Sequence, residues 1–278
     1  MLKKTVIFFL ALSALFLLYV FCVEPYWIQE KHVSISNVKI PVSFSGTKVV
    51  FISDIHYGTI FNKERTAELV ERVNNLKPDM ILLGGDYVSG SNTKIWKNIG
   101  DDRLSDCFKE LANLKAIYGV YGVLGNHDHW QNAAFARKCM AEAGIELIEN
   151  KGKWITKGKD RIRIGGVGDY WEGKQYLGPV LKGTTPKDFV ILVSHNPDYI
   201  ENMDSDAIDL MLSGHTHGGQ MSLFGFYAPL VPSNCGQIYR TGVIKKGSTT
   251  LVVSNGVGLI RPAVRFCTRP QIIVVDLK

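Results

Sequence analysis

Five short apolar runs in this sequence each stop at a residue that can bind a metal ion. Each run has the length of a buried strand, and the residues after it carry oxygen or nitrogen ligands on short turns. Strands that deliver such side chains from their ends build a metal site on the rim of a sheet. The endings are Ser53-Asp54-Ile55-His56, Gly84-Gly85-Asp86, Gly125-Asn126-His127-Asp128, Ser194-His195 and Ser213-Gly214-His215-Thr216-His217. The pattern predicts a metalloenzyme.

Helical patterns alternate with these apolar runs. Lys63 to Leu76 carries apolar side chains at helical spacing, and similar patterns cover Asp102 to Leu114 and Asn132 to Ala143. This alternation predicts a largely parallel sheet with covered faces. From Gly218 onward short β-rich runs dominate, such as Thr249 to Val253 and Gln271 to Leu277, and they require a second sheet. We therefore expect an α/β fold with two packed sheets and helices outside.

The first 23 residues are predicted to cross a membrane. Thr5 to Val23 contains no charge and approaches the roughly 20 residues that a spanning helix needs. Lys3 and Lys4 precede it and Glu24 follows, which favours a cytoplasmic N-terminus and an extracytoplasmic body. A cleaved signal peptide is the alternative, but the stretch is long for one and lacks an Ala-x-Ala-like site. We expect a single-pass signal anchor in the cell membrane.

The rest of the chain is predicted to form one catalytic domain, because the candidate ligands between Asp54 and His217 must converge. The expected segments are an anchor at 1–23, a juxtamembrane segment at 24–47 and the catalytic domain at 48–278. Edge strands are expected in the juxtamembrane segment at Val33 to Ser36 and Val38 to Ile40. The net charge of +6 is scattered, so no nucleic-acid partner is expected. The five cysteines form no Cys-x-x-Cys pair and indicate neither a zinc knuckle nor a redox motif.

Two of the motifs contain ligand pairs spaced by two residues. Asp54 and His56 would share one side of an extended chain, and His215 and His217 repeat that spacing. Asp86 has two carboxylate oxygens and can bridge two cations. Taken singly, however, Asp86 is also compatible with a turn or helix cap.

The Gly125 to Asp128 motif places three kinds of ligand in one turn. The Asn126 oxygen suits a hard divalent ion, the His127 imidazole suits proton transfer, and the neighbouring Asp128 carboxylate can orient that ring. A polar hairpin turn is the alternative interpretation of this motif, just as a core histidine is for His195.

Together and in this order, the five motifs resemble the calcineurin-like metallophosphoesterase superfamily from about Lys48 to the C-terminus. Within it, the motifs and the closing segment from Val253 to Pro270 resemble membrane-associated or exported bacterial phosphodiesterases of the YaeI and YkuE type. The resemblance implies an αββα four-layer sandwich of two mixed sheets, preceded here by a transmembrane helix. A twin-arginine signal, found in the best-known exported members, is absent from this chain.

The resemblance also implies a site with two divalent metal ions, which could be Mn²⁺, Fe, Zn²⁺ or Ni²⁺. His127 would contact the phosphate and protonate the leaving oxygen, with Asp128 as its partner. The implied ligands are Asp54, His56 and His217 for the first ion, Asn126, His195 and His215 for the second, and Asp86 as the bridge.

The expected function is hydrolysis of phosphoester bonds, in particular diesters, by a hydroxide that bridges the two metals. A lipid-linked diphosphate such as a UDP-diacylglucosamine is an alternative substrate, which would require a cytosol-facing site. A non-catalytic metal-binding scaffold is a second class of function, and a nuclease, for which a basic stripe would be expected, is a third.

Several residues outside the motifs received weaker interpretations. Asp169 to Glu172 could line the substrate cleft. Arg261 and Arg265 are expected to form surface salt bridges, with phosphate binding as the alternative. His129 is expected to be a bystander or to support a neighbouring ligand, and Trp130 is expected to be a packing residue.

Overall fold

The structure, a computed structural model, describes residues 2–91 and 100–278. Met1 of the predicted anchor and residues 92–99 of the predicted catalytic domain lie outside this description. The helices are α1 (Leu2–Leu18), α2 (Lys63–Asn75), α3 (Asp101–Leu111), α4 (Asn126–Glu142), α5 (Leu177–Leu181) and α6 (Tyr199–Asn202). The strands are β1 (Gln29–Ile35), β2 (Lys48–Ile52), β3 (Met80–Leu83), β4 (Val120–Gly122), β5 (Glu146–Leu147), β6 (Lys151–Lys157), β7 (Asp160–Gly166), β8 (Val190–Val193), β9 (Leu210–Ser213), β10 (Gly242–Lys246), β11 (Thr249–Val253) and β12 (Gln271–Leu277).

Two mixed sheets of six strands each form the centre of the fold. Their strand orders are β1-β12-β2-β3-β4-β5 and β10-β11-β9-β8-β7-β6. Strands β2 to β5 run parallel, as do β7, β8, β9 and β11, so the loops that follow them leave from the same edge of each sheet. The predicted architecture of two mixed sheets is therefore confirmed.

Successive side chains along each strand point to opposite faces of the sheet, and this alternation divides the core into layers. In β2, Val49 and Phe51 face the second sheet and pack in a shared cluster with Ile164 and Ile191. Their neighbours in β2 face outward and pack against α2, α3 and α4. A third cluster covers the outer face of the second sheet with residues of α5 and α6. Period-two burial on both faces of the strands thus produces four layers.

The boundaries of the predicted helices differ in one informative place. Helix α4 begins at Asn126, six residues before the predicted start, and its backbone is extended at Asn132, with φ −177° and ψ 86°. The Gly125 to Asp128 motif is therefore the first turn of a helix and not a hairpin turn. The carboxylate of Asp128 accepts the Gly125 backbone N–H at 2.9 Å, so it caps this first turn.

The juxtamembrane segment belongs to the first sheet. Strand β1 pairs in parallel with β12 at the sheet edge, as expected for the run that contains Val33. The second predicted edge strand is wrong, since Val38 to Ile40 lies in a turn in which the Ile40 N–H donates to the Asn37 carbonyl. The chain then passes through a short 3-10 turn (Val42–Phe44) into β2.

The N-terminal helix is long and apolar enough to cross a membrane by length and composition. It runs from Leu2 through a π-helical turn (Tyr19–Val23) and a 3-10 turn (Glu24–Tyr26), and most of its side chains are exposed. Its last turns pack against the body, where Val20 and Glu24 are buried. The Glu24 carboxylate accepts the backbone N–H groups of Cys267 and Thr268 at 3.0 and 2.6 Å.

A cavity in the apolar cluster between the two sheets should lower the free energy of unfolding strongly. We expect Ile191→Ala to lower the free energy of unfolding by about 2–5 kcal/mol, because this fully buried side chain packs in the cluster that joins the sheets. Urea unfolding of the full chain in detergent measures the change. Ile117→Ala is the matched control, since Ile117 is 82% exposed and should change stability by less than about 0.5 kcal/mol. Equal effects in both variants would contradict the layered core.

Candidate metal centre

All seven predicted metal ligands converge at the edge where the parallel strands of both sheets end. The loops after β2, β3 and β4 approach from the first sheet, and those after β8 and β9 approach from the second. Each of these side chains is buried. The ligand atoms of two sets of three residues lie within 4.8 Å of one another, and these sets are Asp54, His56 and His217, and Asp86, His195 and His215. His127 forms a third such set with His56 and Asp86.

The first set joins the loops after β2 and β9. The Nε2 atoms of His56 and His217 face each other at 3.0 Å, and Asp54 Oδ1 lies 3.7 Å from His217 Nε2. Two imidazole nitrogens that each bind an ion at about 2.1 Å and a right angle lie about 3.0 Å apart. The spacing of these two rings is therefore the spacing of two ligands of one cation.

The second set joins the loops after β3, β8 and β9. His195 Nε2 lies 3.2 Å from both Asp86 Oδ2 and His215 Nδ1. His195 Nδ1 faces the Gly84 carbonyl at 2.7 Å, so its N–H donates there and Nε2 is the nitrogen that points into the site. Asp86 Oδ2 is also 3.5 Å from His56 Nε2, so one carboxylate oxygen lies between the two sets.

Several buried polar atoms of the centre have no hydrogen-bond partner within the described residues. They include Asp54 Oδ2, Asn126 Oδ1 and His215 Nε2. A buried oxygen or nitrogen left without a partner destabilises a fold unless something else binds it. Carboxylate, amide and imidazole groups that converge in this way fit divalent cations of the first transition row.

The four imidazoles of the two ligand sets differ in protonation, with three held neutral by burial and His195 held protonated by Asp86. Burial lowers the pKa of His56 to about 3 and holds the pKa values of His215 and His217 well below their usual range, so these imidazoles are neutral. Burial opposes a charge on His195 too, but the Asp86 carboxylate outweighs it and raises the His195 pKa to about 10. Burial likewise opposes ionisation of Asp86, yet the imidazoles around it hold the Asp86 pKa well below its usual range.

The backbone at the ligands differs from the extended geometry that the sequence predicted. Asp54 and His56 have φ of 56° and 48°, and Asp86, His215 and His217 are also left-handed, with φ between 53° and 69°. Residues with a β-carbon adopt this conformation at a cost of about 1 kcal/mol or more each, and they persist where the surroundings hold them.

Interlocking hydrogen bonds between the loops hold these conformations. The Asp54 N–H donates to the Gly85 carbonyl at 2.9 Å, and the His56 N–H donates to the Asp86 carbonyl at 3.0 Å. The His215 N–H donates to Asp54 Oδ1 at 2.9 Å and so joins the second sheet to the first. Strain is thus stored at the ligands and held by contacts between distant loops.

Asp128 has a different place from the predicted one beside the His127 ring. Its two oxygens accept the backbone N–H groups of Asp86, Tyr87 and Gly125 at 2.8 to 2.9 Å. The carboxylate is occupied with these backbone groups and joins the loop after β3 to the start of α4. The prediction that Asp128 orients the His127 ring is therefore wrong, because the Asp128 oxygens bind the backbone of the ligand loops.

His127 lies at the mouth of the centre and is oriented by another group. Its Nδ1 faces the Gly90 carbonyl at 2.5 Å, and its backbone N–H donates to Asp86 Oδ1 at 2.8 Å. Its ring lies edge-on to His56 with centroids 4.6 Å apart. The proton on His127 Nδ1 is therefore donated to the Gly90 carbonyl, and Nε2 is the nitrogen available to a substrate.

Arg265 was interpreted from sequence as a surface residue, and the structure corrects this. Its side chain is fully buried and donates to the backbone carbonyls of His217, Asn255, Gly256, Gly258 and Thr268. Burial lowers the pKa of Arg265 to about 9. No local sequence pattern predicts that Arg265 is buried, because its hydrogen-bond partners come from three separate turns. One of those turns carries the predicted ligand His217.

Two tryptophans line the outer side of the centre. Trp171 lies edge-on to the His215 ring with centroids 4.3 Å apart, and the Trp130 ring lies 4.6 Å from that of His127. Trp130 Nε1 donates to the Glu172 carboxylate at 2.6 Å, which connects the two sides. The segment from Asp169 to Glu172 thus reaches the centre, and Trp130 packs on the His127 ring.

Comparison with known proteins agrees with this arrangement. Residues 47–219 match the calcineurin-like phosphoesterase family. The uncharacterised metallophosphoesterase YkuE of Bacillus subtilis is 31% identical over 257 residues, which cover 92% of this chain and 87% of the relative. The phosphodiesterase YaeI of Escherichia coli is 28% identical over 233 residues, covering 83% of this chain and 82% of the relative.

A solved structure shows the same fold at low sequence identity. The NAD nucleotidase NadN of Haemophilus influenzae superposes with a TM-score of 0.50 at 13% identity, covering 76% of this chain and 50% of that one. The predicted resemblance is therefore confirmed by a family match that covers more than half of the sequence, and the fold agrees. The chain belongs to the calcineurin-like phosphoesterase family and is a metal-dependent phosphoesterase.

Proposed function

We propose that this protein is a membrane-anchored phosphodiesterase whose domain at residues 48–278 holds two divalent ions. The observation that carries the proposal is the position of Asp86, whose Oδ2 lies within 3.5 Å of an imidazole nitrogen from each ligand set. A carboxylate shared in this way can bridge two cations. Asp54, His56 and His217 would hold one ion, and Asn126, His195 and His215 the other.

The two ions would supply a nucleophile near neutral pH and neutralise the charge on the phosphate oxygens. The chain itself would supply the orientation and a proton. The diester preference is supported by the name of the relative YaeI, a phosphodiesterase, which aligns over 83% of this chain. Trp171 and Trp130, which pack on the rings of His215 and His127, would contact the groups that a diester carries on either side of its phosphorus.

His127 is the proposed proton donor to the leaving oxygen. Its Nδ1–H donates to the Gly90 carbonyl, so a protonated ring presents its second N–H from Nε2 toward the substrate. Gly90 fits this role because a β-carbon there would lie 1.9 Å from the His127 carbonyl oxygen. Only glycine allows the two backbones to approach so closely without a shift of His127.

The N-terminal helix supports the proposed anchor. It spans 25 residues from Leu2 to Tyr26, carries no charge between Thr5 and Val23, and exposes most of its large apolar side chains. Tyr26 and Trp27 follow at its end, both exposed, and Arg65 and Arg269 stack on their rings at 4.3 and 3.8 Å. Exposed aromatic residues with cationic neighbours at a helix end are typical of a membrane interface. The proposed side of the catalytic domain is extracytoplasmic, on the charge asymmetry of Lys3 and Lys4.

Hydrolysis of a simple diester tests the proposed function. We expect the full chain in detergent with Mn²⁺ to hydrolyse bis(p-nitrophenyl) phosphate faster than p-nitrophenyl phosphate. Asp86→Ala should lower the diester rate at least about a hundredfold, because it removes the shared carboxylate. Asp204→Asn, at an exposed position, is the control. A metal-loaded protein that turns over neither ester would refute the phosphodiesterase proposal.

The number of metal ions bound per chain distinguishes a residue that bridges two ions from a residue that binds only one. We expect about two ions per chain in the parent protein, about one in Asn126→Ala and fewer than one in Asp86→Ala, as measured by plasma mass spectrometry after desalting. Asn126 would bind one ion through its unpartnered oxygen, whereas Asp86 would serve both. The bridging assignment is wrong if both variants keep the same number of ions.

The leaving group tests His127 as proton donor. His127→Gln should slow a diester with an alkoxide leaving group about a hundredfold or more, and one with a p-nitrophenolate leaving group much less, since the better leaving group needs less protonation. Bound metal should not change. His129→Gln, two residues along the same helix, is the matched control. Equal losses for both leaving groups would assign His127 a role other than proton donation.

A further inference from the structure

Residues 221–230, here named the apolar loop, expose a cluster of hydrophobic side chains. Phe224 and Phe226 at its tip are 78% and 88% exposed. No Asp, Glu, Lys or Arg occurs between His217 and Arg240. A contiguous exposed apolar surface on a protein marks a site of contact with another molecule or with a membrane. The exposed side chains are Met221, Leu223, Phe224, Phe226, Tyr227 and Leu230.

The tip of the apolar loop is held in an outward position. Leu223 bridges to Tyr227, with its N–H donating to the Tyr227 carbonyl at 2.7 Å. The buried Arg240 donates from Nη2 to the Gly225 carbonyl at 2.6 Å and from Nη1 to the Gly218 carbonyl at 2.9 Å. The two phenylalanines are thus presented by a braced turn.

The apolar loop is continuous with the surface on which the N-terminal helix packs. The Ser222 N–H donates to the Phe266 carbonyl at 2.8 Å. The Phe266 ring in turn lies edge-on to Phe16 with centroids 5.2 Å apart, and the Arg265 N–H donates to the Val20 carbonyl. The body therefore contacts the helix over several turns, beginning at Phe16.

If the N-terminal helix spans a bilayer, the position of Phe16 gives the depth at which Phe266 and the neighbouring apolar loop lie. With Lys3 and Lys4 outside the hydrocarbon, a core about 30 Å thick takes about 20 residues and ends near Glu24. Phe16 is eight residues before Glu24, which places it about 12 Å inside the core. Phe266 and the apolar loop beside it therefore lie at the depth of the lipid acyl chains in such a bilayer, where exposed phenylalanine side chains are favoured.

The apolar loop also borders the metal centre. It begins four residues after His217, and its far end returns to the same turn, since a β-carbon on Gly219 would lie 2.7 Å from the Leu230 carbonyl oxygen. A loop immersed in lipid would consequently bring the mouth of the centre to the headgroups.

Building on the proposed function, we infer that the apolar loop inserts into the same lipid leaflet as the end of the N-terminal helix. The centre then faces the headgroup layer, and the substrate is a phosphodiester carried by a lipid. Lipid is the occupant that the depth of Phe16 and the absence of charge in the loop both favour.

Insertion is measured by fluorescence in bilayers. Phe226→Trp and the control Ile117→Trp are placed in the full chain and reconstituted into nanodiscs of phosphatidylcholine and phosphatidylglycerol, with or without brominated acyl chains. Ile117 is 82% exposed and lies before β4, at the opposite edge of the sheet from the centre. We expect bromine to quench the emission added at 226 at least about twofold and to leave that added at 117 unchanged. Equal quenching at the two positions, or none at 226, overturns the insertion.

Substrate choice is measured with two diesters that share one leaving group. Phe224→Ser/Phe226→Ser should slow hydrolysis of phosphatidyl-p-nitrophenol in phosphatidylcholine vesicles about tenfold or more and leave bis(p-nitrophenyl) phosphate unchanged. Equal rates of the variant and its parent on both diesters would overturn the lipid-borne substrate. If the parent hydrolyses neither diester, the proposed function and the lipid-borne substrate both fail, while quenching at 226 still decides whether the loop inserts.

Discussion

A cluster of buried ionisable groups is the constraint around which this protein is built. Carboxylates and imidazoles from five loops meet where both sheets end, and oxygen and nitrogen atoms of Asp54, Asn126 and His215 have no partner within the described residues. Such a cluster is unfavourable in a dry interior unless cations complete it. The parallel strands bring the loops together, and the four-layer packing provides the rigidity that keeps them there.

Long-range hydrogen bonds hold the backbone of the centre in strained conformations. Asp128 binds three backbone N–H groups from two loops, and Arg265 binds carbonyls from three turns. Both side chains use their polar atoms to bind the backbone of the loops around the centre. Replacing either would disturb the ligands from a distance, because left-handed residues such as His56 and His217 depend on surroundings that fix them.

The sequence was sufficient to predict the strands and the convergence of the candidate ligands, because both follow from short-range patterns. Strands β11 and β12 have the predicted bounds, since apolar runs bounded by polar turns depend on few neighbours. The conformation of Asp54 and the burial of Arg265 were not predictable in this way. Asp54 is bound by the backbone of His215, 161 residues away, and Arg265 binds carbonyls on separate turns, including that of His217, 48 residues away. Glu24 likewise binds backbone more than 240 residues further along.

The burial of Glu24 has a consequence for how the chain matures. A peptidase that trims a leader needs several extended residues on each side of the bond that it cuts. Here Glu24 and Pro25 are buried in a 3-10 turn beneath Cys267 and Thr268, which lie in the closing segment of the chain. In the folded chain this turn keeps the Glu24–Pro25 bond out of the extended conformation that such a peptidase needs. The closing segment thus also holds the base of the N-terminal helix, through contacts between residues more than 240 positions apart.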